Sequence, residues 1–193
     1  MSAQVNINAF YDSLSIAHKL DNFLDGFKRE EIHLFAYFAA FLFHYKGNPV
    51  DNWDYNFIVS KDGFPHSKAI DDAIERHLNV GAYEIRGGFM TITSRGTDDY
   101  KKFLQLENLQ KREEFIEPAC NTSILIPYKE TELALLNDVN IKKSHDLQNE
   151  SWVDFQYENL KIISTSLGAS IDDLTISAVT WVRLLLLKNE ELK

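Results

Sequence analysis

Cysteine, positive charge and long apolar runs are all scarce in this 193-residue chain, and each shortage excludes a class of protein. Because Cys120 is the single cysteine, no intramolecular disulfide can form, which favours a reducing compartment. The most apolar stretch, residues 32–43, is too short to cross a bilayer and directly follows charged residues. The chain begins without the basic segment and apolar run of a signal peptide. The sequence therefore predicts a cytoplasmic protein that does not span a membrane.

The deficit of positive charge bears on nucleic acids. The chain has 20 lysines and arginines against 29 aspartates and glutamates, a formal net charge of −9. Proteins gain most of their affinity for nucleic acid by neutralising phosphates with Lys and Arg. The composition therefore disfavours strong binding to DNA by this chain alone. The apolar fraction of 45% is enough for a packed core, so we expect an ordered chain.

Motifs that carry enzyme chemistry are missing as well. There is no Gly-Lys-Ser/Thr phosphate loop, and Cys120 has no neighbouring base in the sequence. The histidines lack the spacing of metal ligands: His33 and His44 share a helix face but stand roughly 16 Å apart. His66 has no partner at ligand spacing either. The sequence thus predicts a protein that is not an enzyme, with no catalytic residue, cofactor or metal site.

Residues 65–100 form the most informative stretch. A helix over 66–80 is predicted by apolar residues that recur on one face and by Gly81, which follows the last of them. That face comprises Ile70, Ala73, Ile74, His77 and Leu78. A hairpin is predicted next and would end at Gly96, after which Thr97 would cap a further helix.

The hairpin prediction rests on two short apolar segments, 82–86 and 89–93, on either side of Gly87-Gly88. A Gly-Gly pair in this setting is typical of a two-residue turn. The turn would place Ile85 opposite Met90, and we expect both side chains to face the core. The other pairs would be Tyr83 with Ile92, Glu84 with Thr91, and Arg86 with Phe89.

Further helices are predicted by apolar periodicity on both sides of this stretch. They span 5–27, 30–46, 97–117, 130–137, 152–166 and 171–192. Residues 50–64 are ambiguous between a strand and a short helix, and residues 124–126 between a strand and a buried connector. Residues 140–151 are polar and are predicted to form a flexible loop. The last helix would bury a stripe of Leu174, Ala178, Trp181 and Leu185.

Two segments of the central stretch resemble winged-helix proteins. Residues 69–81, a helix that runs into a glycine, are similar to the recognition helix. Residues 89–96 are similar to the second wing strand, which ends in a threonine, a basic residue and a glycine. The resemblance implies an α+β, mostly helical fold: a winged-helix domain over 1–117 with an N-terminal helix, and a helical C-terminal arm over 118–193. The helix over 30–46 would be the first helix of the winged-helix unit.

The predicted recognition helix is poorly suited to DNA. It carries two basic residues, Lys68 and Arg76, against the three acids Asp71, Asp72 and Glu75. Groove-reading helices instead present Arg, Lys, Asn or Gln to the base edges, and carboxylates there would be repelled by phosphates. We therefore expect a winged helix that docks on protein.

The whole layout resembles the small middle component of bacterial three-component ABC-ATPase antiviral defence systems of the Lamassu type. The resemblance implies a non-enzymatic accessory subunit of an SMC-like complex. Such a subunit would bridge an SMC/Rad50-like ABC ATPase and an effector nuclease through protein–protein interaction, and would meet DNA only through that complex. A winged-helix transcriptional regulator that binds DNA is the alternative.

Candidate interface residues come from the last helices and from the hairpin. Tryptophan dominates binding hot spots, and leucines that extend apolar surface to a second side of a helix often mark an interface. The candidates are Trp152, Trp181, Leu184, Leu185, Leu186, Leu187, Arg86 and Arg95. Burial in the core is the competing interpretation of the aromatic and leucine residues.

Overall fold

The computed structural model describes residues 5–60, 63–138, 141 and 173–190. Within these ranges the chain is mostly helical, with two small antiparallel sheets. The helices are α1 (Ile7–Asp21), α2 (Arg29–Tyr45), α3 (Lys68–Asn79), α4 (Ser94–Phe103), α5 (Glu107–Gln110), α6 (Glu113–Leu125), α7 (Tyr128–Leu136) and α8 (Leu174–Glu190). The strands are β1 (Ile58–Val59), β2 (Pro65–His66), β3 (Tyr83–Arg86) and β4 (Phe89–Ile92). The predicted helix over 152–166 and Trp152 lie outside the described residues, as does nearly all of the predicted loop over 140–151.

The centre of the fold is α2, which is apolar on almost every side, as its sequence predicts. It packs against α1, α3, α6 and α7. Helix α1 begins where the Asn6 side chain accepts the Ala9 N–H at 2.8 Å, and ends before the predicted breaker, Gly26. Residues 50–64 contain both of the structures that the sequence left open: a 3-10 helix over Val50–Trp53 and the two-residue strand β1.

The hairpin β3–β4 has the predicted register, with Ile85 opposite Met90. The expectation that both face the core is wrong for Ile85, which is 65% exposed, whereas Met90 is 7% exposed. The two strands differ in their neighbours. Phe27, between α1 and α2, exchanges two backbone hydrogen bonds of 2.8 Å with Met90 and so covers the β4 edge. No backbone pairing of this kind covers the outer edge of β3 within the described residues.

The start of α4 differs from the prediction. Thr93, not Thr97, is the N-cap, and its hydroxyl accepts the Gly96 N–H at 3.1 Å. Gly96 therefore does not end the hairpin but lies buried in the first turn of α4. A Cβ atom at Gly96 would stand 2.4 Å from the Ala82 carbonyl oxygen, so this close approach of helix to hairpin requires glycine.

The predicted helix over 97–117 is divided among α4, α5 and α6, and Pro118 lies inside α6. Where the chain enters α6, Arg112 and Glu113 form ion pairs with Asp12 and Lys19 of α1. The apolar run at 124–126 is the end of α6, with Ile124 exposed and Ile126 buried, and not a strand. The predicted division of the chain after residue 117 falls within α6 and remains a prediction.

Helix α8 packs against α6 and α7 and buries the predicted stripe. The Trp181 ring stacks on Phe41 with centroids 5.2 Å apart, and its Nε1 donates to Asp138 at 3.2 Å. Ser177 donates to the Tyr45 hydroxyl at 3.2 Å. None of the helices in the described ranges has the length and apolarity that crossing a bilayer would require.

Candidate functional site

The acidic residues of α3 are held by basic partners instead of facing outward together. Arg29, in the first turn of α2, donates from Nη1 to Asp71 Oδ1 at 2.8 Å and from Nη2 to Glu75. Lys68 pairs with Asp72 at 2.8 Å, one turn along the same helix. The acidic charges of α3, which argue against DNA binding when the sequence is considered alone, are thus largely neutralised within the chain.

The tip of the hairpin, residues 85–89, is the exposed part of this region. Ile85 is 65% and Phe89 43% exposed, although both are large apolar residues. Arg86 pairs with Glu84 at 2.5 Å, and the ammonium of Lys28 lies 5.6 Å from the centre of the Phe89 ring. This tip combines apolar and basic groups on a chain that is acidic as a whole.

The other basic candidate, Arg95, is exposed in the first turn of α4, where its Nε lies 3.9 Å from Asp99. The described tryptophan and leucine candidates lie on α8, which packs against α6 and α7. The predicted site residues are thus divided between the hairpin with the start of α4 and the helix α8.

The candidates on α8 divide by burial. Trp181 and Leu185 are 6% and 2% exposed and belong to the core of this chain, so they are not free for a partner in this structure. The reason is that α2, α6 and α7 already cover their face of the helix. Leu184 and Leu186 are half-buried, and Leu187 is 58% exposed.

A cluster that the sequence did not reveal joins α2, β2 and α3. His33 Nε2 lies 3.3 Å from Asp71 Oδ1, and His66 Nε2 lies 3.6 Å from Asp71 Oδ2. The two imidazole rings are 4.7 Å apart. The cluster borders a cavity of about 500 Å³ between the start of α2 and the β1–β2 hairpin.

Protonation at this cluster follows from its hydrogen bonds. The Ser67 N–H donates to His33 Nδ1 at 3.1 Å, so neutral His33 carries its proton on Nε2 and donates it to Asp71. Burial lowers the pKa of His33 below its ordinary value. The hydrogen bond from His33 and then that from Arg29 hold the pKa of Asp71 well below its usual range. At neutral pH the Asp71 carboxylate therefore lies between the neutral imidazole of His33 and the guanidinium of Arg29, with the His66 ring beside them.

The spacing of these residues in the sequence does not reveal the cluster. His33 and His66 are far apart in the chain and come together only because β1 and β2, of two residues each, pair in front of α2. Strands this short leave no periodic signal. The one available sign was that Asp71 and His33 both lie on predicted helices of the central unit.

Other titratable groups in the interior serve packing. Cys120 is buried, and burial raises the pKa of its thiol, so it is not a nucleophile. His77 is fully buried and donates from Nε2 to the Phe10 carbonyl at 2.9 Å. Asp12 and Arg112 form a bidentate buried pair with contacts of 2.6 and 2.5 Å. None of these groups opens onto a surface where a substrate could bind.

Comparison with known proteins adds no further constraint on the function. No protein-family model matches the chain, and no curated protein or solved structure matches it.

Proposed function

We propose that the chain is a winged-helix docking subunit that binds a partner protein through its hairpin tip. The partner class is the one that the sequence resemblance implies: an SMC/Rad50-like ABC ATPase that acts with an effector nuclease in a bacterial defence complex. In this proposal the subunit has no enzymatic activity of its own and meets DNA only within the complex.

The order of the elements supports the winged-helix part of the proposal. The chain runs through α1, the single residue Phe27 that pairs with Met90, α2, α3 and the hairpin β3–β4. With Phe27 in the place of the first strand, this is the order helix, strand, helix, helix, hairpin. In this arrangement α1, and not the helix over 30–46, is the first helix of the unit. The short 3-10 helix and the β1–β2 hairpin are then an insertion between the second and third helices.

The observation that carries the docking role is the exposure of Ile85 and Phe89. Both residues could have been polar without loss of the hairpin, since Gly87-Gly88 sets the turn. Burying each side chain against a partner would contribute roughly 1.5–3 kcal/mol. Arg86, between them, is a residue type that interfaces favour. A small apolar tip of this kind fits a groove on a protein better than a phosphate backbone.

The test is affinity purification of the tagged chain from its own cells, with mass spectrometry of what accompanies it. The proposal expects an SMC/Rad50-like ATPase in amounts comparable to the bait. The variant Ile85→Asp/Phe89→Asp should lose that ATPase while keeping the wild-type thermal melt. Leu106→Asp is the matched control, because Leu106 is 48% exposed but lies between α4 and α5.

Two results would contradict the proposal. One is a preparation in which no ATPase of this class accompanies the wild-type chain. The other is an ATPase that accompanies the tip variant as well as it accompanies the Leu106→Asp control, which would place the contact elsewhere.

A DNA-binding regulator stays the second candidate because of one observation. Arg29 and Lys68 neutralise the acids of α3, so this helix repels phosphates less than its sequence predicts. Its exposed side presents Arg76 and Asn79, residue types that can read base edges. A regulator should dimerise and retard a specific duplex in a gel, whereas a docking subunit should not.

A further inference from the structure

The cavity beside α2 has the charge and the donor atoms of a cation site. Four carboxylates, those of Glu30, Glu31, Asp71 and Glu132, line it against the two cations Lys28 and Arg29. One ring nitrogen of His33, one of His66 and a carboxylate oxygen of Asp71 all lie within 4.8 Å of one another. Ligand atoms around a tetrahedral zinc ion stand about 3.3 Å apart. The Asp71 oxygens lie 3.3 Å from Nε2 of His33 and 3.6 Å from Nε2 of His66, which is close to that separation.

We propose that His33, His66 and Asp71 form a site for a divalent transition-metal ion, with the fourth coordination position open to the cavity. This inference is independent of the docking role proposed above. Imidazole nitrogens favour zinc, cobalt or nickel over magnesium and calcium, which prefer oxygen ligands. The ion would tie together α2, β2 and α3.

Arg29 is the competitor for this site in the metal-free protein. Its guanidinium donates to the same Asp71 oxygen that lies nearest to His33. Arg29 is also bonded to Glu75, which is 57% exposed and can keep the guanidinium once Asp71 turns to the metal. Removing Arg29 should therefore strengthen metal binding, which a purely structural ion pair would not predict.

A metal ion on His33 also changes the hydrogen bond between His33 and Ser67. With the metal on Nε2, His33 must carry its proton on Nδ1, where the Ser67 N–H now points. The Ser67 hydroxyl is buried and has no hydrogen-bond partner, and it belongs to the same residue. Metal binding therefore requires the Ser67 N–H to release Nδ1, and we assign the unpartnered hydroxyl of the same residue as the acceptor of the relocated proton.

The experiment is isothermal titration of the full chain with zinc chloride at neutral pH, repeated with magnesium chloride. Zinc should bind with one ion per chain, and magnesium should give no heat of binding. Cobalt should give the visible absorption of a tetrahedral ion. His66→Asn and Asp71→Asn should each weaken zinc binding at least about tenfold. His18→Asn is the matched control, because that half-buried ring packs against Tyr100, with centroids 4.4 Å apart, and does not line the cavity.

The variant Arg29→Gln distinguishes a metal site from a purely structural ion pair. Loss of the charged hydrogen bond that competes for Asp71 should tighten zinc binding by about tenfold or more. Thermal melts by circular dichroism accompany each variant. Asp71→Asn also breaks the ion pair with Arg29, so a loss of zinc binding in that variant has two explanations. The decisive variant is His66→Asn, because the His66 side chain is 33% exposed and lies on a two-residue strand, where the substitution should not disturb the fold.

Three results would each overturn the site. The first is no zinc uptake by the wild-type chain. The second is wild-type affinity in a folded His66→Asn, which would show that other groups hold the ion. The third is a folded Arg29→Gln that binds zinc no more tightly than the wild type.

Discussion

Removing the guanidinium of Arg112 should destabilise this protein more than the loss of any exposed charge. Arg112 connects the start of α6 to α1 by donating from Nε and Nη2 to Asp12 at 2.6 and 2.5 Å. Asp12 is 0% exposed, and Tyr55 donates to the same carboxylate at 2.6 Å. The Arg112 guanidinium also lies 3.9 Å from the centre of the Trp53 ring.

The loss in the free energy of unfolding depends on the groups that stay buried after the substitution. In Arg112→Met the methionine can still pack on Trp53, but the Asp12 carboxylate loses its cation and keeps only the Tyr55 hydroxyl. Breaking a buried pair by removing one partner costs about 3–5 kcal/mol, because an uncompensated charge stays buried. Asp12→Asn should cost a similar amount by stranding Arg112. The double variant should cost less than the two single changes added together.

Urea unfolding followed by circular dichroism and tryptophan fluorescence measures these free energies. Lys111→Met, next to Arg112 in sequence, removes an exposed cation paired with Glu107 and should leave the free energy of unfolding nearly unchanged. An Arg112→Met variant that is no less stable than Lys111→Met, or additive effects of the Asp12 and Arg112 changes, would refute a stabilising role of this buried pair.

Three further predictions concern a close contact, a pH dependence and DNA. Gly96→Ala should destabilise the fold by about 1–3 kcal/mol by urea unfolding, since its Cβ would overlap the Ala82 carbonyl; the exposed Ser94→Ala should be near neutral. Burial lowers the pKa of His77 to about 4, so unfolding takes up a proton and stability falls as pH drops from about 6.5 to about 4. His77→Gln should flatten that fall, and a variant slope equal to the wild type would be inconsistent with it. The isolated chain should show no sub-micromolar complex with duplex DNA by fluorescence anisotropy at about 150 mM salt.

The parts of the fold that sequence predicts well are those with a strict local rule. The register of Ile85 and Met90 follows from a period of two around a Gly-Gly turn, and the structure confirms it. Helix α2 follows from an apolar run that ends at a glycine. The alternation of apolar and polar residues along a strand does not show which part of the strand a neighbouring segment covers, so it does not predict the exposure of Ile85.

The start of α4 shows where local rules leave a choice. Thr93 and Thr97 are both good N-cap residues, and propensity does not separate them. The choice is made by tertiary contact, since Gly96 must approach the Ala82 carbonyl and only the earlier start places it there.

The candidate sites depend on long-range pairing, which sequence does not give. Arg29 neutralises Asp71 from 42 residues away, so the charge of α3 could be counted but its partner could not. His33 and His66 meet through strands too short to predict. The exposure of Leu187 and the burial of Trp181 likewise depend on which face of α8 its neighbours cover.

Hydrogen–deuterium exchange of the chain, alone and bound to its copurified partner, tests the docking role most directly. The account predicts that amides at the hairpin tip, residues 85–89, exchange quickly in the free chain and become protected in the complex. Amides in the buried interior of α2 should change little, because that helix is already covered. A complex in which the tip exchanges as fast as in the free chain, with protection confined to other surfaces, would contradict the account.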